Sequence, residues 1–233
     1  MQIHRDDSDD GVTTLTLDDG AKNALDTDVF RAIADAFDAA ADAKAIVLAG
    51  REGALSAGLN VKVLPTLDRD GLVELLTVFG QTMMRIWTDP HPVVCAATGH
   101  ALAGGTMLAM ACDHAVAADG QFAWGLIETT IDFELPRFGI ALARANVRND
   151  QLEDLVIPGR RIGPAEAVEV GFADELATPD EVLAHAQAHA AQLAQLPAGA
   201  YAGTKARLRR AAADDVLAGI DDDIAGLVHR THG

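Results

Sequence analysis

The sequence predicts a mainly parallel α/β core followed by a helical C-terminal part, on three observations. Short apolar runs at 45–50, 92–99 and 114–119 alternate with segments of helical period. Gly, Pro or Asp bounds each run, as expected of buried strands. From Pro164 onward the strand-like runs stop and helical periodicity takes over. Such alternation is the pattern of helices covering a parallel sheet.

The elements follow in order. VTTLTLDDG (12–20) alternates and ends in a turn, which predicts a strand. In the segment 22–44, Asp26 or Thr27 can cap a helix whose Val29, Phe30, Ile33, Phe37 and Ala41 recur at helical spacing. AIVLAG (45–50) is a buried strand closed by Gly50, and a helix is expected over 70–88. PVVCAATG (92–99) is a strand entered at His91-Pro92, and HAVAAD (114–119) is another. Between them, HALAGGTMLAMACDH (100–114) opens on a Gly-Gly pair and becomes a short apolar helix with no acid, base or nucleophile on it. PAEAVEVG, then PDEVLAHAQAHAAQLAQL, then 204–229 are helical in period, punctuated by Pro197 and Gly203. The organisation expected is a core at 1–160 and a helical C-terminal subdomain at 161–233, without repeats or linkers.

Composition narrows the function. The net charge of −17 argues against nucleic acid, which needs a basic face. No run of eighteen apolar residues suggests a membrane span. MQIHRDDSDDG lacks the basic start and apolar stretch of a signal peptide. Cys95 and Cys112 sit in apolar runs, so reduced thiols and a cytoplasmic location are expected. His185 and His189 lie four apart on a predicted helix with no evident third ligand, so no metal site is expected. KARLRR (205–210) puts four positive charges in six positions, either as a solvated helix face or as a local anion-binding patch.

Two glycine-bearing turns follow buried strands: LSAGLN (55–60) and LAGGT (102–106). Neither fits G-x-G-x-x-G after a first strand, and neither has the Gly-Lys-Ser/Thr of a phosphate loop. One such turn alone would suggest tight packing. Two turns on separate strands suggest one N–H from each aimed at one oxygen, an oxyanion hole.

These residues resemble the crotonase (enoyl-CoA hydratase/isomerase) superfamily. Five ordered pieces carry the likeness. Lys22-Asn23-Ala24-Leu25 is similar to the family's NAL segment, and 55–60 to its F-S-A-G-A-D turn. Residues 92–105 resemble K-P-V-I-A-A-V-N-G-x-A-x-G-G-G, and Gly125-Leu126-Ile127-Glu128 resembles G-L-N-E. Ile162-Gly163-Pro164-Ala165-Glu166-Ala167 with Gly171 resembles I-S-A-x-E-A…G-L-V.

The resemblance implies a spiral of ββα units and a homotrimer or dimer of trimers. It also implies an acyl-CoA thioester substrate, with no cofactor beyond the CoA that the substrate carries. It implies an oxyanion hole from the N–H groups of Ala57 and Gly104, and CoA contacts at Lys22, Ala24, Leu25, Leu59 and Asn60. Lys205, Arg207, Arg209 and Arg210 become candidates for the CoA phosphates. Family hydratases use two glutamates; here Met107 replaces one, and Glu128 matches the other. A thioether takes no proton from water, so the pattern resembles the family's single-glutamate isomerases, which move a 3-enoyl double bond to the 2-position. Met107 is then expected to line the pocket. Weak hydration, carbon–carbon bond cleavage through the same enolate and non-catalytic acyl-CoA binding are the alternatives. Two residues depart from the pattern: Asn60 replaces the usual Asp, and Asp132 stands where Gly is usual. If Asp132 or Glu134 lies near Glu128, like-charge repulsion would raise one of the carboxylate pKa values.

Overall fold

The computed structural model describes residues 1–232, with side chains through Val228. Strands β1 (Gln2–Asp7), β2 (Val12–Asp18), β3 (Ala45–Ala49), β5 (Val93–Ala97), β7 (His114–Ala118) and β9 (Glu175–Ala177) form one sheet in the order β1-β2-β3-β5-β7-β9. β1 is antiparallel to β2 and the remaining pairs are parallel. Strands β4 (Gly53–Ser56), β6 (Gly99–Leu102) and β8 (Trp124–Gly125) form a second, parallel sheet. Successive strands pass from the large sheet to the small one: β3 to β4, β5 to β6, β7 to β8. After β6 the chain enters α3 (Gly104–Ala111), and because β4, β6 and β8 run parallel side by side, the segments that follow all three leave the small sheet at the same end.

Strand alternation divides the core. Ile46, Leu48, Val93, Cys95 and Ala97 face one side, against α1 (Thr27–Ala39), α2 (Arg69–Trp87) and α3. Val47, Ala49, Val94 and Ala96 face the other, where α7 (Val182–Leu193) lays Ala186 and Ala190 on them. Small alanines let that helix approach closely. Asp26 caps α1, its carboxylate accepting from Val29 N at 3.1 Å. Helices α4 (Arg137–Asn146), α5 (Leu152–Val156) and α6 (Pro164–Val170) precede β9. Helices α8 (Ala198–Ala218) and α9 (Ile220–His232) close the chain, and α9 buries Ile220, Ile224, Leu227 and Val228 in the main core.

Three features differ from the expected elements. β1 is an edge strand with mostly exposed polar side chains, so it carries no apolar signal. The second sheet is built from strands of two to four residues, too short for a period. Beyond residue 160 the chain is not only helical: β9 extends the large sheet and α7 covers its second face. None of the described helices is long and apolar enough to cross a membrane.

Candidate active site

The first donor turn is built by hydrogen bonds between 22–25 and 56–60. Asn23 is fully buried with φ +51°, and its Nδ2 donates to Leu17 O at 2.8 Å and Leu55 O at 3.1 Å. Ser56 Oγ donates to Asn23 O at 2.6 Å and accepts from Gly58 N at 3.0 Å. Ala57 N donates to Lys22 O at 2.9 Å, Leu25 N to Gly58 O at 2.9 Å, and Asn60 N to Leu25 O at 2.7 Å. The last two bonds make Leu25 and Leu59 a parallel bridge. In such a pair the N–H of Leu59 points away from its partner segment, and it meets no acceptor among the described residues.

This corrects the expected donor. The N–H of Ala57 is engaged by Lys22, so the free amide of this turn belongs to Leu59, two residues on.

The second turn lies where β6 passes into α3. Gly104 is the first residue of that helix, so its N–H has no intrahelical partner. The positive end of the α3 dipole adds to its pull on an anion. A Cβ on Gly105 would stand 2.4 Å from Ser56 O, so only glycine lets the helix start abut β4. Gly58, at φ +89°, brings the turns together: its Cβ would stand 2.9 Å from Ala103 Cβ and 3.6 Å from Gly104 N. Ala103 has φ +51° and ψ −116°, a strained conformation for an L-residue that costs on the order of 1–3 kcal/mol.

Both turns open on one cleft of about 540 Å³. Leu64, Leu67, Leu72, Phe79 and Phe133 give it apolar walls, and Ala57, Leu59, Ala103 and Met107 also line it. Glu128 opens a 3-10 turn (Glu128–Ile131) and reaches the same cleft. It is 6% exposed, and its Oε2 has no hydrogen-bond partner. Burial in this apolar wall raises its pKa from 4.5 to about 7. Asp132 lies on the exposed rim at φ +59°. Burial is the cause of the Glu128 shift, so the condition under which Asp132 or Glu134 would repel it is not met.

Two further expectations are corrected. Leu25 is fully buried in the core, placed to support the Gly104 turn rather than to touch a ligand. Lys205 is 6% exposed, and its Nζ donates to Asp113 at 2.7 Å and to His91 O at 3.0 Å. Arg209 bonds the other Asp113 oxygen at 2.6 Å and Trp87 O at 3.0 Å. The two cations therefore tie α8 to the strand ends instead of waiting for a phosphate, while Arg207 and Arg210 are exposed. His185 bonds Glu175 at 2.6 Å, and His189 stacks on His114 at 3.9 Å.

Lys22 is exposed and contributes its carbonyl to the turn. Ala24 is half-buried, and its N–H donates to Asp19 at 3.0 Å. Asn60 Oδ1 accepts from Lys62 N at 3.2 Å. None of the three is among the lining residues of the cleft. Ala103 and Arg161 line it unanticipated: a strained alanine leaves no trace in sequence, and Arg161 reads as an ordinary surface cation.

Residues 7–232 match the enoyl-CoA hydratase/isomerase family model. The chain is 34% identical over 159 residues to a Thermus thermophilus protein that carries an enoyl-CoA hydratase name. That match spans 65% of this chain and 60% of that protein. A solved enoyl-CoA hydratase/isomerase family protein from Pseudomonas syringae superimposes with a TM-score of 0.92 at 31% identity, covering 97% of each chain. A Mycobacterium tuberculosis protein solved in apo form as an enoyl-CoA isomerase superimposes with a TM-score of 0.89 at 29% identity, covering 96% of this chain and 97% of that one. The chain has the crotonase fold and belongs to the enoyl-CoA hydratase/isomerase family.

Proposed function

We propose that this protein is an acyl-CoA isomerase that shifts a double bond from the 3- to the 2-position of an enoyl thioester, with Glu128 as its one acid–base group. The thioester oxygen lies between the N–H groups of Leu59 and Gly104. The Glu128 carboxylate takes a proton from C2, and the electron pair passes into the thioester as an enolate. The conjugated dienolate then takes the proton back from Glu128 at C4, leaving the double bond between C2 and C3. No water is added or lost.

Charge on the oxygen is greatest in the enolate-like transition state, so two fixed donors act mainly there, each worth about 3 kcal/mol. A carboxylate with a pKa about 7 is suited to both halves of the transfer, because it gives and takes a proton at similar ease near neutrality.

The observation that carries the proposal is the pairing of a buried Glu128, whose Oε2 has no hydrogen-bond partner, with a thioether, Met107, lining the same cleft. Hydration would need a second group to activate water, and Asp132, the other carboxylate lining the cleft, sits on its rim. The chemistry calls for no group besides the CoA thioester. We also infer assembly as a homotrimer or dimer of trimers from the family resemblance; Leu208 on α8 and Leu196 before it are exposed apolar residues that an interface would cover, and light scattering tests the assembly.

The deciding experiment is turnover of 3-enoyl-CoA and 2-enoyl-CoA side by side, with wild type and Glu128→Gln. Isomerisation that exceeds hydration in wild type and disappears in the variant is expected. Hydration as the faster reaction, or undiminished isomerisation by Glu128→Gln, refutes the proposal.

A further inference from the structure

Three non-glycine residues have positive φ among the described residues, and Ala103 stands apart from the other two. Asn23 and Asp132 are of the types whose short polar side chains favour that region. Ala103 has no such side chain, and at ψ −116° it lies outside the left-handed helical region altogether. Both of its peptide groups are held: its N–H donates to Gly125 O at 2.8 Å, and its carbonyl accepts from Met107 N at 3.1 Å. Glycine would adopt this backbone without strain. The methyl group is what alanine adds in return.

That methyl lines the cleft and stands 2.9 Å from the point where a Gly58 Cβ would be. It therefore sits in the crevice between the turns that bear the two free amides. If those amides hold a thioester oxygen, as proposed above, covalent geometry puts C2 of the acyl chain about 2.4 Å from that oxygen. C2 and any substituent on it are then held within reach of the methyl.

We propose that the Ala103 methyl is a specificity-determining group that restricts this site to thioesters whose acyl chain is unbranched at C2. The inference rests on the thioester reading of the cleft but not on the chemistry of Glu128. Its test therefore uses saturated ligands that cannot react. Hexanoyl-CoA and 2-methylhexanoyl-CoA are titrated calorimetrically into wild type and Ala103→Gly, and the two proteins are melted in parallel.

Wild type is expected to prefer the unbranched thioester. Ala103→Gly is expected to reduce that preference by roughly 10- to 200-fold, the range one methylene-sized group commands in an apolar pocket. The variant should melt no lower than wild type, because the strained backbone relaxes. Equal binding of the two ligands by wild type overturns the proposal, and so does an unchanged preference in the variant. A variant that melts below wild type overturns the claim that the methyl is kept against backbone preference. Binding of neither ligand by either protein refutes the thioester cleft itself, and this inference with it. Activity surviving in Glu128→Gln would refute the chemistry alone and leave these affinities standing.

Discussion

Replacing Glu128 by Gln should alter stability in a way that depends on pH, and the sign follows from burial. In the folded chain the carboxyl titrates at about 7, against 4.5 as its ordinary value. Between those values the unfolded chain binds fewer protons than the folded one, so stability falls as pH rises. The contribution of the neutral carboxyl is fully present below about pH 4.5 and is lost through pH 7. At 1.36 kcal/mol per pH unit, the full effect is about 3 kcal/mol. Gln keeps the shape and does not titrate. Its amide meets the same partnerless position and costs about 1–3 kcal/mol on its own account, at every pH. The informative quantity is therefore how the difference between the two proteins changes with pH, not its size at one pH. Urea denaturation of both proteins at pH 5 and pH 8 should show the variant gaining about 2–3 kcal/mol on wild type across that interval. In thermal melts this is on the order of 5–10 °C for a chain of this length. A difference that stays flat from pH 5 to pH 8 refutes the burial-raised carboxyl.

Three other outcomes follow from the same geometry. With 3-enoyl-CoA as substrate, kcat/KM should rise with pH and level off above an apparent pKa near 7, since the free enzyme must present the carboxylate; a limb near 4.5 would contradict the shift. Gly58→Ala forces a Cβ to 2.9 Å from Ala103 Cβ and 3.0 Å from Leu102 O at φ +89°, so it should lower stability by about 1–3 kcal/mol and weaken acyl-CoA binding by calorimetry. Asp113→Ala leaves Lys205 buried without its carboxylate and should destabilise by about 3–5 kcal/mol in urea, with the salt dependence of acyl-CoA binding unchanged because Lys205 faces inward.

Sequence periodicity locates the elements that are buried and long enough to repeat. The expected strand at 45–50 is Ala45–Ala49, and the expected helix at 70–88 is Arg69–Trp87. Both have one continuous apolar face to bury, so tertiary context and local pattern agree. The helical period of 182–193 is equally legible, yet its partner is not: alanines on a helix do not say which sheet face they will cover. In the site, Glu128 can be found because a motif frames it, but its protonation cannot. The shift comes from burial, and the cleft walls include Leu64 and, on α2, Leu72 and Phe79, which lie far earlier in the chain. The KARLRR run misleads for the opposite reason. Charge density is visible in sequence, whereas the Asp113 that neutralises Lys205 lies 92 positions earlier.

The identity of the first donor shows why register matters more than composition at such a site. Every residue from Ala57 to Asn60 offers an N–H, and the sequence alone ranks none of them. The parallel bridge between Leu25 and Leu59 decides, because Leu25 bonds to Gly58 O and Asn60 N on either side of Leu59, whose own amide then points away. Ala57 and Asn60 donate inward to Lys22 and Leu25, Gly58 is taken by the Ser56 hydroxyl, and Leu59 is left facing the cleft. A one-residue slip would turn the Leu59 amide inward and leave the cleft with a single donor from α3. The buried Asn23, bonded to Leu17 and Leu55, and Ser56, bonded to Asn23, hold that register. The backbone of the segment expected to contact CoA thus also selects which amide remains free to meet a thioester.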